Sequence, residues 1–348
     1  MSHNFPIPLD DELALGLLGR LARMNGMSSV LCAVRSIKVA FLEDEHIPTL
    51  WMIAKACDLD ASEFTAKHSM LPVLYPISRY EGTERESSNR RHLASAYGLS
   101  ASASGLRWCP ECARLEQNER GFSHWRRAHQ VNGIDWCVTH HVPLINASLD
   151  AAICAPAHPN SLGPTSLSAV DLEDEQNNPA LQRLQYILLE WLQRPAPFQL
   201  RAWSEVVRQR CRELRLRMGE IGKRSVVSDL ILAQFPQRWM KQHMPEVAAK
   251  QSRSFVRKVD GACIDKHVTY PALACAAVLS VLFESAEEAL TELELANRQL
   301  TVQLTPAEAA RNALTAFLSG GGLNKACRRF GASVALVEAE LRQRYLAF

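Results

Sequence analysis

The sequence predicts a mainly α-helical chain interrupted by one small metal-stapled module with short β-hairpins. Apolar residues recur at three- and four-residue steps over residues 10–68 and again from Pro179 onward. Between those regions stand two Cys/His knuckles of identical spacing, at 109–112 and 137–140. The C-terminal stretch 305–346 then carries three short helical patterns separated by glycine-containing turns.

Taken in order, Asp10 is placed to cap a first helix whose apolar face is Leu13, Leu17, Leu18, Leu21 and Met24, and Asn25-Gly26 supplies a left-handed stop. Ser28 restarts the chain with Val30, Leu31 and Val34. Pro48 opens a third helix carrying Leu50, Trp51, Ile53 and Ala54, and Asp60 with Glu63 forms a capping-box pattern for a fourth. The result is an N-terminal helical module, helix-turn-helix-like in layout, over residues 1–105. Its last part, from Arg79 to Gly105, is polar and small and reads as a linker or mobile loop.

The central module, 106–165, is defined by Cys109-Pro110-Glu111-Cys112, 24 intervening residues, and Cys137-Val138-Thr139-His140. A two-residue spacing lets the chain turn back so that both ligand atoms face one ion. Three thiolates and an imidazole are a soft, closed donor set that favours structural Zn2+ over magnesium or calcium and leaves no open position for a catalytic water. A zinc ribbon with short β-hairpins is therefore expected, with Cys109, Cys112, Cys137 and His140 as ligands and His141 as the competing fourth donor. Cys154 and His158 offer half of a second site, but no matching pair follows, so they read as loop residues.

An irregular, proline-containing stretch from Ala155 to Asn178 leads into the third expected domain, 176–348. Asn178-Pro179 starts a helix with the stripe Leu181, Leu184, Ile187, Leu188, Trp191 and Leu192. The next helix, Trp203 to Met218, is expected to bury Val206, Val207, Cys211, Leu214 and Met218 and to turn Arg208, Arg212 and Arg215 outward as a phosphate-contacting face. Two short helices broken at Pro236 follow. Thr305-Pro306-Ala307-Glu308 begins the last element, a tri-helical helix-turn-helix at 305–346. There Leu314, Phe317 and Leu318 give the opening helix its apolar face, and Phe330, Val334, Val337 and Leu341 fill the core. Lys325, Arg328 and Arg329 on its middle helix are candidates for phosphate contact, whereas the final helix begins Ser333-Val334-Ala335-Leu336 and has few side chains able to read bases.

Composition sets outer limits on function. A chain of 348 residues with 47% hydrophobic and 22% charged residues is ordinary globular protein, not a disordered or collagen-like one. The longest apolar run, Ala272 to Phe283, falls well short of the ~20 residues that span a bilayer. No basic-then-apolar signal opens the chain, so a cytoplasmic protein without a membrane partner is expected. In that setting ten cysteines point to metal binding and burial, not disulfides. The net charge of +2 predicts no global attraction to polyanions. Its distribution is uneven: Arg201 to Lys258 holds fourteen Lys/Arg against five Asp/Glu, while Glu284 to Glu308 holds six acids and one Arg. No phosphate-binding G-x-x-x-x-G-K-[ST] loop is present, so nucleotide energy would have to come from elsewhere.

Arg107-Trp108-Cys109-Pro110-Glu111-Cys112, followed by Trp125-Arg126-Arg127-Ala128-His129-Gln130, Gly133 and Cys137-Val138-Thr139-His140, resembles the TniQ/TnsD family of transposition target-selection proteins. Leu17-Leu18-Gly19-Arg20-Leu21-Ala22-Arg23-Met24-Asn25-Gly26 is similar to that family's opening helix, and the likeness covers roughly the first 150 residues. Asn132 stands where the family often has proline, and His141 where it usually has glycine. Phe235-Pro236-Gln237-Arg238-Trp239 resembles a short element of its longer members. The resemblance implies a non-enzymatic adaptor that links target DNA, or a Cascade-type CRISPR guide complex, to a TniB/TnsC-type AAA+ ATPase. A homodimer is compatible with that role. The competing expectations are a stand-alone zinc-containing DNA-binding transcription regulator and a metal-dependent or cysteine hydrolase. His129 and the tryptophans Trp125 and Trp136 are expected to pack around the metal module, His129 as a hydrogen-bonding neighbour of a ligand.

Overall fold

The computed structural model of the chain describes residues 5–41, 47–79, 84–102, 105–264, 268–301, 306–330 and 332–345. They form two compact units, Met1–Ala296 and Asn297–Phe348, and are mainly helical, with four short strands among the described residues. No helix among them is long and apolar enough to cross a membrane.

In the first unit, α1 (Ala14–Met24) stops at Asn25-Gly26, where Gly26 takes a left-handed φ of 63°. Its start differs from expectation. Asp10 does not cap it; Leu13 occupies the cap position and gives its N–H to the Trp125 carbonyl at 2.8 Å, so a tertiary bond replaces the side-chain cap. Ser29, not Ser28, caps α2 (Val30–Ala40). That helix buries Ala33 and Ile37 while Leu31 stays exposed. α3 (Thr49–Ala56) follows Pro48, and Asp60 caps α4 (Ala61–His68) by accepting from the N–H groups of Ser62 and Glu63, both at 2.9 Å. With α5 (Leu71–Leu74) these helices close over Leu17, Leu18, Leu21, Ile37, Leu50, Ile53 and Phe64.

After β1 (Ile77–Ser78) the expected linker is instead a helix, α6 (Glu84–Tyr97). Its polar composition hides it from a periodicity search. Among its described side chains, Ala94 is buried in the N-terminal core and Leu93 packs beside it.

β2 (Leu106–Trp108) pairs antiparallel with β3 (Ile145–Ala147), Leu106 opposite Ala147 and Trp108 opposite Ile145. The intervening segment is no plain ribbon loop, because Pro110 starts α7 (Pro110–Arg120) directly after the first ligand and Gly121 ends it at a left-handed φ of 78°. α8 (Ala169–Gln176) lies in the stretch read as irregular. Asn178 caps α9 (Pro179–Gln193), whose expected stripe is buried from end to end. β4 (Phe198–Gln199) then pairs parallel with β1, Ile77 opposite Phe198.

α10 (Leu200–Glu213) is shorter than its pattern suggests. Leu216 N–H folds back to the Cys211 carbonyl and Arg215 takes a left-handed φ of 54°, so the helix ends five residues before expected Met218 and Leu214 is 42% exposed. α11 (Val227–Gln234) and α12 (Gln237–His243) flank Pro236 as read from the sequence. The short α13 (Pro245–Ala248) and α14 (Arg257–Asp260) lead to α15 (Ala272–Leu282), the apolar run, which lies in the interior, and to α16 (Ala286–Thr301). One continuous core runs from Leu13 through Trp108, Trp136, Leu184 and Trp239 to Leu293. The regions expected as 106–165 and the first part of 176–348 therefore contribute to one core, joined by Leu13, Met70, Val73 and Ile77 of the expected N-terminal module, whose first helices close over a cluster of their own.

The second unit holds α17 (Pro306–Leu318), α18 (Leu323–Phe330) and α19 (Val334–Tyr345) around Ala310, Ala313, Leu314, Ala326, Cys327 and Val337. The small residues let the helix axes approach closely. Leu318, expected on the apolar face of α17, is 52% exposed, and Val334, expected in the core, is 36% exposed. Ser333 caps α19 by accepting from Leu336 N–H at 3.2 Å. Thr305, the expected cap of α17, lies outside the described residues.

Candidate metal centre

Cys109 occupies the N-cap of α7 and its Sγ accepts from Cys112 N–H at 3.4 Å, so one helical turn presents both sulfurs on the same side. The second knuckle is closed by two backbone bonds, Cys137 N–H to Val142 O and His141 N–H to Cys137 O, each 2.8 Å. The β2–β3 ladder sits immediately outside both knuckles and sets them face to face.

The four ligand atoms of Cys109, Cys112, Cys137 and His140 lie within 4.8 Å of one another, and the three cysteines are buried. His140 Nδ1 is 3.5 Å from Cys109 Sγ, 3.2 Å from Cys112 Sγ and 3.6 Å from Cys137 Sγ. Those separations suit four donors around one tetrahedral cation. Hydrogen bonds with Cys109 and Cys112 hold the Cys137 thiol well below its ordinary value, while hydrogen bonds with Cys109 and Cys137, then burial, push Cys112 up. Thiols so crowded resist ionising together unless a cation takes them as thiolates. The donor set is compatible with one zinc ion. His141 is not part of the cluster: it is exposed at a left-handed φ of 55°, and its carbonyl accepts from Gln176. His129 places Nε2 3.7 Å from Cys112 Sγ, beside a ligand.

Cys154 and His158 are not part of a metal-ligand cluster among the described residues. The Cys154 carbonyl accepts from Trp125 Nε1 at 2.9 Å, and His158 Nδ1 accepts from Asn160 N–H at 3.1 Å.

Around the knuckles the charged residues that look like surface groups in the sequence are interior. Arg107 is 3% exposed and gives Nη1 to Ile134 O and Asp135 Oδ1 and Nη2 to Val131 O. Burial lowers its pKa to about 10 against the pull of Asp135. Asp135 Oδ2 in turn holds His243 Nε2 at 2.8 Å and Gln242 Nε2 at 3.0 Å, both on α12. On the same helix Arg238 pairs with Glu175 at 2.6 Å, and Trp239, in tilted ring contact with Phe235 and His243, donates to Gly133 O at 3.0 Å. Gly133 sits at φ 88° where an added Cβ would meet Leu273 and Trp239. The Phe235–Trp239 element is therefore the clamp that ties the helical region to the metal module.

The other face is tied to the first helices. Arg127 is 1% exposed, donates to Ala66 O and Ser69 O, and pairs with Asp11. Glu12 and Arg20 form a buried two-bond ion pair at 2.8 and 2.7 Å. Gln130 bonds both the N–H and the carbonyl of Arg107. Glu116 meets His124 and Arg126: burial pushes its carboxyl up, but those two partners outweigh it and carry it down to about 2. Arg127, Arg20, Gln130, Glu12 and Glu116 each also bond backbone.

Of the six expected nucleic-acid contacts, Arg212 and Arg215 are exposed. Arg208 is half-buried and gives Nη1 to Ile264 O at 3.1 Å. Because α10 ends at Glu213, Arg215 is not on the helix face with the other two. Lys325, Arg328 and Arg329 stand on α18 with side chains outside the described residues.

The family model described as TniQ matches residues 4–144, from the chain leading into α1 to the end of the second knuckle. No curated protein matches the chain.

Proposed function

We propose that this chain, whose residues 4–144 match the TniQ family model, is a transposition-associated, non-enzymatic target-selection adaptor that links target DNA or a Cascade-type guide complex to a TniB/TnsC-type AAA+ ATPase. The observation that carries this reading is how the matched residues are used. Cys109, Cys112, Cys137 and His140 make a closed Cys3His shell suited to one structural Zn2+, while Arg127 and Gln130 hold neighbouring backbone and Glu12 holds Arg20. Such a domain positions surfaces; it offers no open coordination site to a reacting atom.

The DNA-facing contacts are proposed at Arg212 and Arg215 in the first unit and at Lys325, Arg328 and Arg329 on α18 in the second. They support affinity through phosphates more than choice of sequence. The test is a reconstitution of purified chain, ATPase and duplex DNA, read by co-migration in gel filtration and by ATP hydrolysis. The adaptor reading expects the chain to join the ATPase and change its turnover while hydrolysing nothing alone. Tight binding to one operator with no association with the ATPase would overturn it in favour of a stand-alone regulator.

A further inference from the structure

α10 ends at Glu213, and the chain then makes an exposed loop before Val226 returns to the interior. That loop has a frame of its own. Arg217 N–H donates to Ser225 O at 2.8 Å and closes the two limbs, while the Arg217 guanidinium donates to Gly219 O at 2.9 Å, to Gly222 O, and to Arg253 O at 2.8 Å. Gly222 sits at φ 142°, where an added Cβ would meet Arg217 Cδ, so glycine there leaves room for the arginine to pack under the tip. At the tip Ile221 is 95% exposed, more than any other large apolar residue among the described ones. One exposed isoleucine means little by itself. This one is held out by a braced loop and stands among cations: Arg212 and Arg215 precede it, Lys223 and Arg224 follow, and all four are exposed with no ion pair among the described residues. The nearby acids are already answered. Glu213 accepts from Arg210 and Gln209, Glu220 faces Arg257 at 3.8 Å, and Asp229 holds Lys250.

We propose that this loop is a wedge for duplex DNA: Ile221 enters the minor groove and partly unstacks one base step, with Arg212 and Arg215 on one bordering phosphate row and Lys223 and Arg224 on the other. The proposal rests on the target-DNA half of the adaptor reading and deepens it, from phosphate contact alone to a groove and a bend. A minor groove about 6 Å wide excludes a helix but admits a loop tip narrowed by Gly219 and Gly222, whereas a major groove about 12 Å wide would leave a single isoleucine without walls. Aliphatic wedges of this kind kink a duplex by about 20–90°. A lipid surface is the poorer match, because Leu216 is buried and Met218 half-buried, so one side chain is all the apolar area that the tip offers to a bilayer.

The full chain is titrated into A·T-rich duplexes of about 30 base pairs with a donor and an acceptor dye at opposite ends, read for affinity against salt and for energy transfer. Wild type should raise the transfer on binding. Ile221→Ser should abolish that rise and weaken binding about tenfold, a loss of ~1.4 kcal/mol, with the salt dependence unchanged because no phosphate contact is removed. Lys223→Ser with Arg224→Ser should lower the slope of log affinity against log salt by ~2. All three positions are exposed, so melting temperatures should match wild type. The minor-groove ligand netropsin should displace the wild-type chain. A bend retained in Ile221→Ser, indifference to netropsin, or no duplex affinity at low salt overturns the proposal. So does sedimentation with phosphatidylserine vesicles that depends on Ile221 while the duplex stays straight, which would give the loop to a lipid surface. If the loop bends DNA as expected while the ATPase does not associate, the adaptor reading fails alone. If the ATPase associates and the duplex is bound unbent, the wedge fails alone.

Discussion

The metal module and the C-terminal three-helix unit solve the same problem, a small segment that must hold its shape, by opposite means. Around Cys109 and Cys137 the packing is thin, with Leu144 and Val142 the apolar company of the sulfurs, and shape depends on ligands and on buried ion pairs such as Arg107–Asp135. Around Ala313 and Ala326 there is no such chemistry among the described residues, only close helix packing on small side chains. A ligand-built region is rigid while every partner is present and fails when one is withdrawn. A packed region degrades in small steps.

The sharpest way to break this contrast is metal removal. Binding of a structural zinc supplies on the order of 10 kcal/mol to small modules. Chelation, or Cys112→Ser, should therefore collapse the surroundings of Trp108, Trp125 and Trp136, seen as loss of near-ultraviolet circular dichroism, while amide signals of α17–α19 keep their positions. Simultaneous loss of both sets of signals would show that the two regions do not differ in this way.

Next in size is the buried pair. Arg107→Met leaves Asp135 facing α12 without its main cation, and truncating one member of a buried pair costs ~3–5 kcal/mol. The double change Arg107→Met with Asp135→Leu should recover much of that loss. A single variant as stable as wild type in urea titration would mean the pair is not holding the clamp.

These two tests also mark where the sequence is readable and where it is not. Cys109-x-x-Cys112 and Cys137-x-x-His140 are legible because a knuckle's ligands are local, and their spacing alone implies one ion. The stripe of α9 and the caps of α4 and α19 are legible for the same reason. Arg107 and Arg127 are not, because their partners Ile134, Asp135, Asp11 and Ala66 stand at separations the chain does not announce. The family resemblance marked these positions without saying what they do. α6 escaped because, among its described side chains, one buried alanine and a neighbouring leucine hold a helix of otherwise polar sequence, and α10 was drawn too long because Leu214 continues the apolar period past the point where the backbone turns.

Acid sharpens the comparison at a smaller scale. Glu116 titrates at about 2 in the folded chain against an ordinary value of 4.5, so its charged form is favoured by folding. The contribution, about 3 kcal/mol, is complete above pH ~5 and is lost as pH falls toward 2. Glu116→Gln should flatten the fall in stability over that window relative to wild type. An identical acid profile for both would remove Glu116 from the set of groups that hold the module.

The packed unit should respond to crowding instead. Ala313 is fully buried, so Ala313→Leu forces side chains apart and should cost ~1–3 kcal/mol, read as earlier loss of α17–α19 amide protection with the tryptophan signals unmoved.

The smallest effect on stability belongs to the exposed cations. Arg212→Ala with Arg215→Ala should leave the melting temperature where it is, since surface substitutions of this kind stay within ~0.5 kcal/mol. Duplex binding is where they should show. Each phosphate contact contributes about one unit to the slope of log affinity against log salt, so the double variant should lower that slope by ~2 and weaken all duplex sequences alike. Arg208→Ala differs in kind: its guanidinium holds the Ile264 carbonyl, so it should cost stability as well as affinity. An unchanged slope in the double variant would move the phosphate contacts off the α10 region and leave α18 as the remaining candidate.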